Sequence, residues 1–138
     1  MKALPEGSLR VAPSLIHGTG CFACLDIPED TPVAEYVGER ISGAEAVRRN
    51  DQACADFSEY ILEVTTDLYL DARLVEIPAK YVNHSCEANC YVLVEGQRAF
   101  ITARRPIASG EELTYDYAYD EEVREPCHCK APSCRGYM

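Results

Sequence analysis

Cys127, Cys129 and Cys134 set three thiols within eight positions at the C-terminal end of this chain, and that crowding constrains the fold more than any other feature. Three thiolates can hold a zinc ion, but a closed structural site takes four ligands in a tetrahedron. The tail carries no fourth cysteine, and His128, lying between two of the thiols, would need an awkward turn to join them. A fourth ligand must then come from the body of the chain. The obvious donor is the polar stretch Asn83-His84-Ser85-Cys86-Glu87-Ala88-Asn89-Cys90, with thiols at Cys86 and Cys90, set between two apolar segments. A metal tying the tail to this stretch would build a pocket at their junction.

The 138 residues make one domain on length, and with 47% apolar residues the chain can bury a core. It contains no run of about 18 apolar residues that could span a membrane. Met1 to Ser14 lacks the apolar stretch of a signal peptide. Eight cysteines would suit a secreted disulfide scaffold, but the missing signal and the tail spacing favour a reducing, intracellular setting with thiolate-bound metal. The formal charge of −10 argues against broad nucleic-acid binding, which needs cations to neutralise phosphates. It favours a basic partner, which a negative cleft attracts.

Short segments rich in Val, Ile, Tyr and Thr predict strands at Leu9–Ala12, Gly20–Ala23, Pro32–Tyr36, Glu39–Ser42, Tyr60–Val64, Leu68–Asp71, Tyr91–Val94, Ala99–Ala103 and Glu112–Tyr115. Ser42 as N-cap and Glu45 as its capping-box partner predict a short helix from Gly43 to about Asp51. Ile77–Val82 reads as a single helical turn, with Pro78 at a tolerated first position. The fold class is mostly β, in several small sheets. A Gly-x-Gly-x-x-Gly turn opening a helix is absent, which excludes a dinucleotide-type α/β fold.

Five motifs in register over almost the whole chain resemble the SET-domain family of protein lysine methyltransferases. Asn83–Cys90 is similar to the family's NHSCxPNC signature. Glu111-Glu112-Leu113-Thr114-Tyr115-Asp116-Tyr117 is similar to its GEELTYDY segment. His17-Gly18-Thr19-Gly20 resembles its cofactor turn, Glu35-Tyr36-Val37-Gly38-Glu39 its EYxGE strand, and the tail its post-SET CxCx4C pattern. The resemblance implies a SET domain over residues 1–120 and a post-SET zinc-binding tail over 121–138. It also implies a C-terminal segment threaded under a loop as a pseudoknot. The implied co-substrate is S-adenosylmethionine, held by His17, Gly18, Thr19 and Gly20 largely through backbone, and by Asn83, His84, Tyr60 and the backbone of His128. Without the family, a glycine pair such as Gly18 and Gly20 is an ordinary tight turn before a strand. The implied zinc ligands are Cys86, Cys127, Cys129 and Cys134, which leaves Cys90 as a small packed hydrophobe. Cys21 and Cys24, three apart on a strand, point to opposite faces and cannot share a metal.

The chemistry implied is in-line methyl transfer from a sulfonium to a lysine. Desolvation in an apolar channel and repulsion from the sulfonium would both favour the neutral amine over an ammonium of ordinary pKa near ~10.4. Tyr117 takes the family's catalytic-tyrosine position and Tyr60 that of a channel-lining tyrosine. Tyr115 takes the phenylalanine/tyrosine switch position, where a hydroxyl holding a water limits the product to mono- or dimethyl-lysine. Asp116 is expected to pair locally, while Tyr36 and Glu39 lie on an edge that would frame a substrate. Ala88 departs from the usual proline, and Lys80-Tyr81 stand where Arg-Phe is common. The region from Ser42 to Ser58, one substrate wall, is short.

The leading reading is a lysine methyltransferase acting on a basic protein such as a histone tail. It would sit in the nucleus if eukaryotic or delivered to a host, and in the cytoplasm if bacterial. No nucleic-acid or membrane partner is expected, and so small a unit would complete its groove by homodimerising. The alternatives are a non-catalytic peptide-binding module on the same fold and a zinc-stapled interaction domain.

Overall fold

The computed structural model describes residues 2–52, 60–117 and 127–138. Cys54, with the other residues of 53–58 in the expected substrate wall, and the expected boundary at residue 120 lie outside them. The described strands form three small sheets. β1 (Leu9–Pro13) and β2 (Thr19–Ala23) make an antiparallel hairpin. β4 (Glu39–Ile41), β6 (Leu68–Asp71) and β5 (Ile61–Thr65) form an antiparallel sheet in the order β4-β6-β5. The largest sheet contains β3 (Pro32–Tyr36), β9 (Arg98–Ala103), β8 (Cys90–Glu95), β10 (Thr114–Tyr115) and β7 (Asn83–His84), in that order.

β9 is the spine. Its residues Ala99 to Ala103 are all buried, and β3 and β8 flank it antiparallel. Phe100, Ile101, Ile27, Ile107, Leu113 and Val33 supply the largest buried side chains. The two polar turns around Ile27 and Ile107 are joined by reciprocal backbone hydrogen bonds of 2.8 Å, which buries both isoleucines.

The threading lies at β10. It pairs parallel with both β7 and β8, through Thr114 with Asn83 and Tyr115 with both His84 and Cys90. β7 and β8 are joined by residues 85–89, so the C-terminal segment passes between two strands that one short loop connects. Asn89 closes that loop over it. Its Oδ1 accepts the Thr114 N–H at 2.9 Å, and its Nδ2 donates to the Glu112 carbonyl at 2.8 Å. The expected strand Glu112–Tyr115 is accordingly shorter in the ladder, because an asparagine side chain satisfies the backbone groups before Thr114. Asn83–His84, read from sequence as part of a polar loop, is a strand for the complementary reason: β10 completes its pairing.

Helix α1 (Gly43–Gln52) starts as expected, with the Ser42 Oγ accepting the Glu45 N–H at 3.1 Å. The capping box is only half formed, since the Glu45 carboxylate turns to Arg48 and Arg49 instead. Arg49 ties the helix to the small sheet. It reaches Glu39 at 2.9 Å and Asp71 at 2.7 Å, and the Asp71 side chain is only 3% exposed. Replacing Arg49 with Ala leaves that buried carboxylate with the Arg73 N–H but without its cation. The variant should lose about 2 kcal/mol of stability, read as a lower urea midpoint at unchanged slope. The expected turn at Ile77–Val82 is a single 3-10 turn, Pro78–Tyr81.

Candidate active site

The threading brings three distant segments together: the turn between β1 and β2, the β7 strand with the loop after it, and the β10 end with Tyr117. Ser14, at the end of the first hairpin strand, donates to Glu112, and its own Oγ accepts the Ile16 and His17 N–H groups. Asn83, buried on β7, lies between them. Its Nδ2 stands 3.0 Å from the His17 carbonyl, 3.2 Å from that of Thr19 and 3.0 Å from Glu112 Oε2. Gly18 has φ +47°, a left-handed turn conformation that side chains rarely adopt. The expected co-substrate turn and the expected Asn-His pair are thus hydrogen-bonded into one unit.

His84 connects this unit to the tyrosines and to the tail. Its Nδ1 accepts the Tyr117 N–H at 3.0 Å, which places the ring proton on Nε2, 3.5 Å from Cys86 Sγ. Asp116 approaches Nδ1 at 3.6 Å, but a nitrogen that accepts a backbone N–H is not protonated, so this is no ion pair. Burial lowers the His84 pKa in the same sense; Asp116 opposes the shift and Arg135 adds to it. The Tyr117 ring stands 5.4 Å from His84 and 4.8 Å from Tyr115, and its hydroxyl donates to the Val82 carbonyl at 2.6 Å. With its proton committed there, the Tyr117 oxygen is set to act as an acceptor toward an approaching group.

Tyr60 packs edge-on to Tyr81 at 6.5 Å, and the buried Lys80 lies over both rings. The Lys80 ammonium donates to the Arg73 and Val75 carbonyls at 3.3 and 3.0 Å. Lysine therefore fastens the chain after β6 against Tyr60 through backbone carbonyls. Tyr36 is buried in the core and Glu39 is engaged by Arg49, so the strand expected to frame a substrate is occupied with internal contacts.

The tail closes the other side. The Sγ atoms of Cys86, Cys127, Cys129 and Cys134 all lie within 4.8 Å of one another, with Cys86 at 3.8 Å from Cys127 and 4.0 Å from Cys134. Zinc–sulfur bonds of about 2.3 Å set tetrahedral sulfur spacings of about 3.8 Å, so this donor set fits a zinc ion. Backbone N–H groups of Arg135 and Gly136 point at Cys86 and Cys134 at 3.3 Å, hydrogen bonds that stabilise thiolates. Burial raises the Cys86 and Cys127 thiols. Cys129 is drawn below the ordinary thiol range although burial opposes this, because the backbone N–H groups of Cys86 and Ala131 favour its thiolate.

Cys90 stands apart from this set, 1% exposed, with burial pushing its thiol up to about 12. Cys21 is fully buried and Cys24 exposed, on opposite sides of their segment. Arg135 forks onto Asp116 at 2.7 and 3.0 Å, and the rings of His128 and His17 stack at 6.2 Å. The tail thus touches the His17–Gly20 turn and the segment carrying Tyr117.

A sequence model of the SET domain matches residues 18–118 of the 138. The chain belongs to the SET-domain family. A histone-lysine N-methyltransferase of Schizosaccharomyces pombe, described as H3 lysine-4 specific, is 39% identical to this SET domain over 94% of the chain and 15% of its own length. The Drosophila melanogaster histone-lysine N-methyltransferase trr is 37% identical over 100% of the chain and 6% of its own. The human histone-lysine N-methyltransferase 2D is 34% identical over 96% and 2%. This SET domain therefore spans a small part of the length of the relatives it matches. No described helix is long and apolar enough to cross a membrane.

Sequence reasoning assigned no role to Ser14, Glu112 or Lys80. Lys80 was visible only as a departure from the usual Arg. Ser14 and Glu112 are 98 residues apart, and neither residue type signals the other.

Proposed function

We propose that this SET domain transfers the methyl group of S-adenosylmethionine to the ε-amine of a lysine in a basic protein, a histone tail being the favoured class. The observation that carries this reading is the convergence of the His17–Gly20 turn, Asn83-His84 and Tyr117 on one site. Three chain segments with separate family motifs meet there, and the relatives named for histone-lysine methylation cover almost all of the chain.

His17, Gly18, Thr19 and Gly20 hold the co-substrate with Asn83, His84, Tyr60 and the backbone of His128. The lysine nitrogen forms a bond to the methyl carbon as the carbon–sulfur bond breaks. Sulfur leaves as a neutral thioether, and the amine then loses a proton to water. Alignment supplies much of the rate, so no strong base is needed. Tyr117 faces the reacting centre with an acceptor oxygen, which suits the partial positive charge on the amine hydrogens and the methyl group. Cys86, Cys127, Cys129 and Cys134 hold one zinc ion, whose role is to fix the tail structurally. Residues 1–120 form the catalytic body and 121–138 the tail. The net charge of −10 favours a cationic partner.

The test is incubation of the zinc-loaded protein with labelled S-adenosylmethionine and a panel of basic proteins, with mass spectrometry of the modified residues. Labelled lysine in a basic protein supports the reading; no label in any of them overturns it.

The product is monomethyl-lysine, with dimethyl accumulating on long incubation. Tyr115 is buried beside Tyr117, where its hydroxyl and an attached water crowd an amine that already carries a methyl group. Tyr115→Phe should shift the products toward di- and trimethyl-lysine with little loss of the first transfer. Mass-resolved products at matched first-methylation extent decide this, and ready trimethylation by the unaltered protein would rule it out.

A further inference from the structure

We infer that Glu112 is a positioning residue that builds the co-substrate turn, an inference that rests on the reading that His17–Gly20 holds S-adenosylmethionine. Ser14 Oγ accepts two backbone N–H groups of the turn, from Ile16 at 2.9 Å and His17 at 3.3 Å. Its own proton must then point elsewhere, and the Glu112 carboxylate is the acceptor, with oxygens at 2.9 and 2.8 Å. The same carboxylate stands 3.0 Å from Asn83 Nδ2, whose other neighbours are the His17 and Thr19 carbonyls and, at 3.2 Å, Ser14 Oγ itself. Glu112 thus sets the direction of both side chains that grip the turn, one at its N–H groups and one at its carbonyls.

Its own backbone is held independently. The flanking Leu113 N–H donates to Cys21 at 2.8 Å, and the Ala23 N–H donates to Glu111 at 3.0 Å. The carboxylate is therefore presented to the turn from a fixed strand edge.

Gly20 supplies the second line of argument. Its φ is not in the left-handed region, so the backbone does not require glycine. Space does: a Cβ at this position would lie 2.5 Å from Glu112 Oε2 and 3.0 Å from Ser14 Cβ. A methyl group there requires the Glu112 carboxylate to shift, which disturbs its contacts with Ser14 and Asn83. The second glycine of the turn is present to make room for Glu112.

The test measures binding of S-adenosylhomocysteine to the zinc-loaded protein by calorimetry, independently of turnover. Glu112→Ala should weaken binding roughly 10- to 100-fold, as expected for losing charge-assisted hydrogen bonds. In steady-state assays KM for S-adenosylmethionine should rise by a similar factor, while kcat at saturating co-substrate changes far less. Glu112→Gln keeps a carbonyl oxygen in place for Ser14 and Asn83 and should recover most of the lost affinity. If Gln is as damaging as Ala, the carboxylate acts by its charge on the ligand, and the positioning assignment is wrong.

Gly20→Ala should weaken binding in the unaltered background and have little further effect in Glu112→Ala, because both changes remove the same contact. Additive losses would overturn the assignment. Should Glu112→Ala fail to fold, Ser14→Ala reports on the same relay, and unchanged binding in that variant would overturn it. An unaltered protein that binds no S-adenosylhomocysteine refutes the underlying reading of the turn, and with it the inference. Binding by the unaltered protein together with a folded, equally tight Glu112→Ala refutes the role of Glu112 alone.

Discussion

Removing the metal, by chelation or by Cys129→Ser, should disorder residues 127–138 and abolish methyl transfer while the three sheets stay folded. The tail has little else to hold it. None of its described residues is buried, and residues 127–138 contain no helix or strand beyond an isolated β-bridge at Tyr137. Among the described residues its contacts with the body include the Arg135–Asp116 fork, the Ser133–Glu87 hydrogen bond, the stacking of His128 on His17 and backbone N–H bonds to and from Cys86, itself one of the four thiols. The first two are exposed and screened by water and contribute little. Zinc binding to four cysteines releases about 10–16 kcal/mol in small domains near neutral pH, enough to order twelve residues that bury no core. The body needs no such help, since the core formed by the described residues runs from Cys21 to Tyr115 without any of residues 127–138.

Metal analysis should therefore give about one zinc per chain with four sulfur ligands by X-ray absorption. Hydrogen exchange should show protection lost in the tail and kept in β3, β8 and β9. Affinity should fall as pH falls, because the ligands bind as thiolates and protons compete for them. Protein prepared without chelator that contains no zinc would refute the ligand assignment. Loss of the whole sheet signal on chelation would refute the division between self-sufficient body and metal-held tail.

The same division explains what could be read from the sequence. Pro32–Tyr36 and Leu68–Asp71 are strands with the bounds their composition predicts, because their pattern of β-branched and aromatic residues is local information. Ser42 caps its helix for the same reason. The joining of Cys86 to the tail thiols followed from counting ligands and from the family pattern. What was not legible depends on long-range partners. Asn83–His84 is a strand only because β10 threads beside it, and no periodicity can show in two residues. Glu45 leaves its capping box for two arginines whose positions on the helix surface compete for the same carboxylate. The bond between Ser14 and Glu112 spans 98 residues, and the need for glycine at position 20 follows from that contact rather than from any turn preference.

Tyr117→Phe should retain co-substrate binding and lose turnover by about 100- to 1,000-fold, the range expected when one positioned polar group is removed from a reacting centre. The substitution deletes one oxygen and keeps the ring, so packing against Tyr115 and His84 survives. The backbone N–H of residue 117 still donates to His84, which keeps the link between β7 and this segment intact. The lost contact is the bond to the Val82 carbonyl, a residue 1% exposed. An unsatisfied buried acceptor costs about 1–3 kcal/mol, so the variant should also unfold at lower urea.

These two effects separate the possible causes of inactivity. If the hydroxyl served only to brace Val82, stability would fall and kcat would follow it only near the unfolding transition. If the oxygen acts on the reacting groups, single-turnover rates at low temperature, far from unfolding, should already show the full loss while calorimetry gives an unchanged Kd for S-adenosylhomocysteine. An unchanged rate with unchanged binding would remove Tyr117 from the chemistry. The acceptor role would then have to pass to Tyr115, whose ring lies 4.8 Å from that of Tyr117, or to Tyr60.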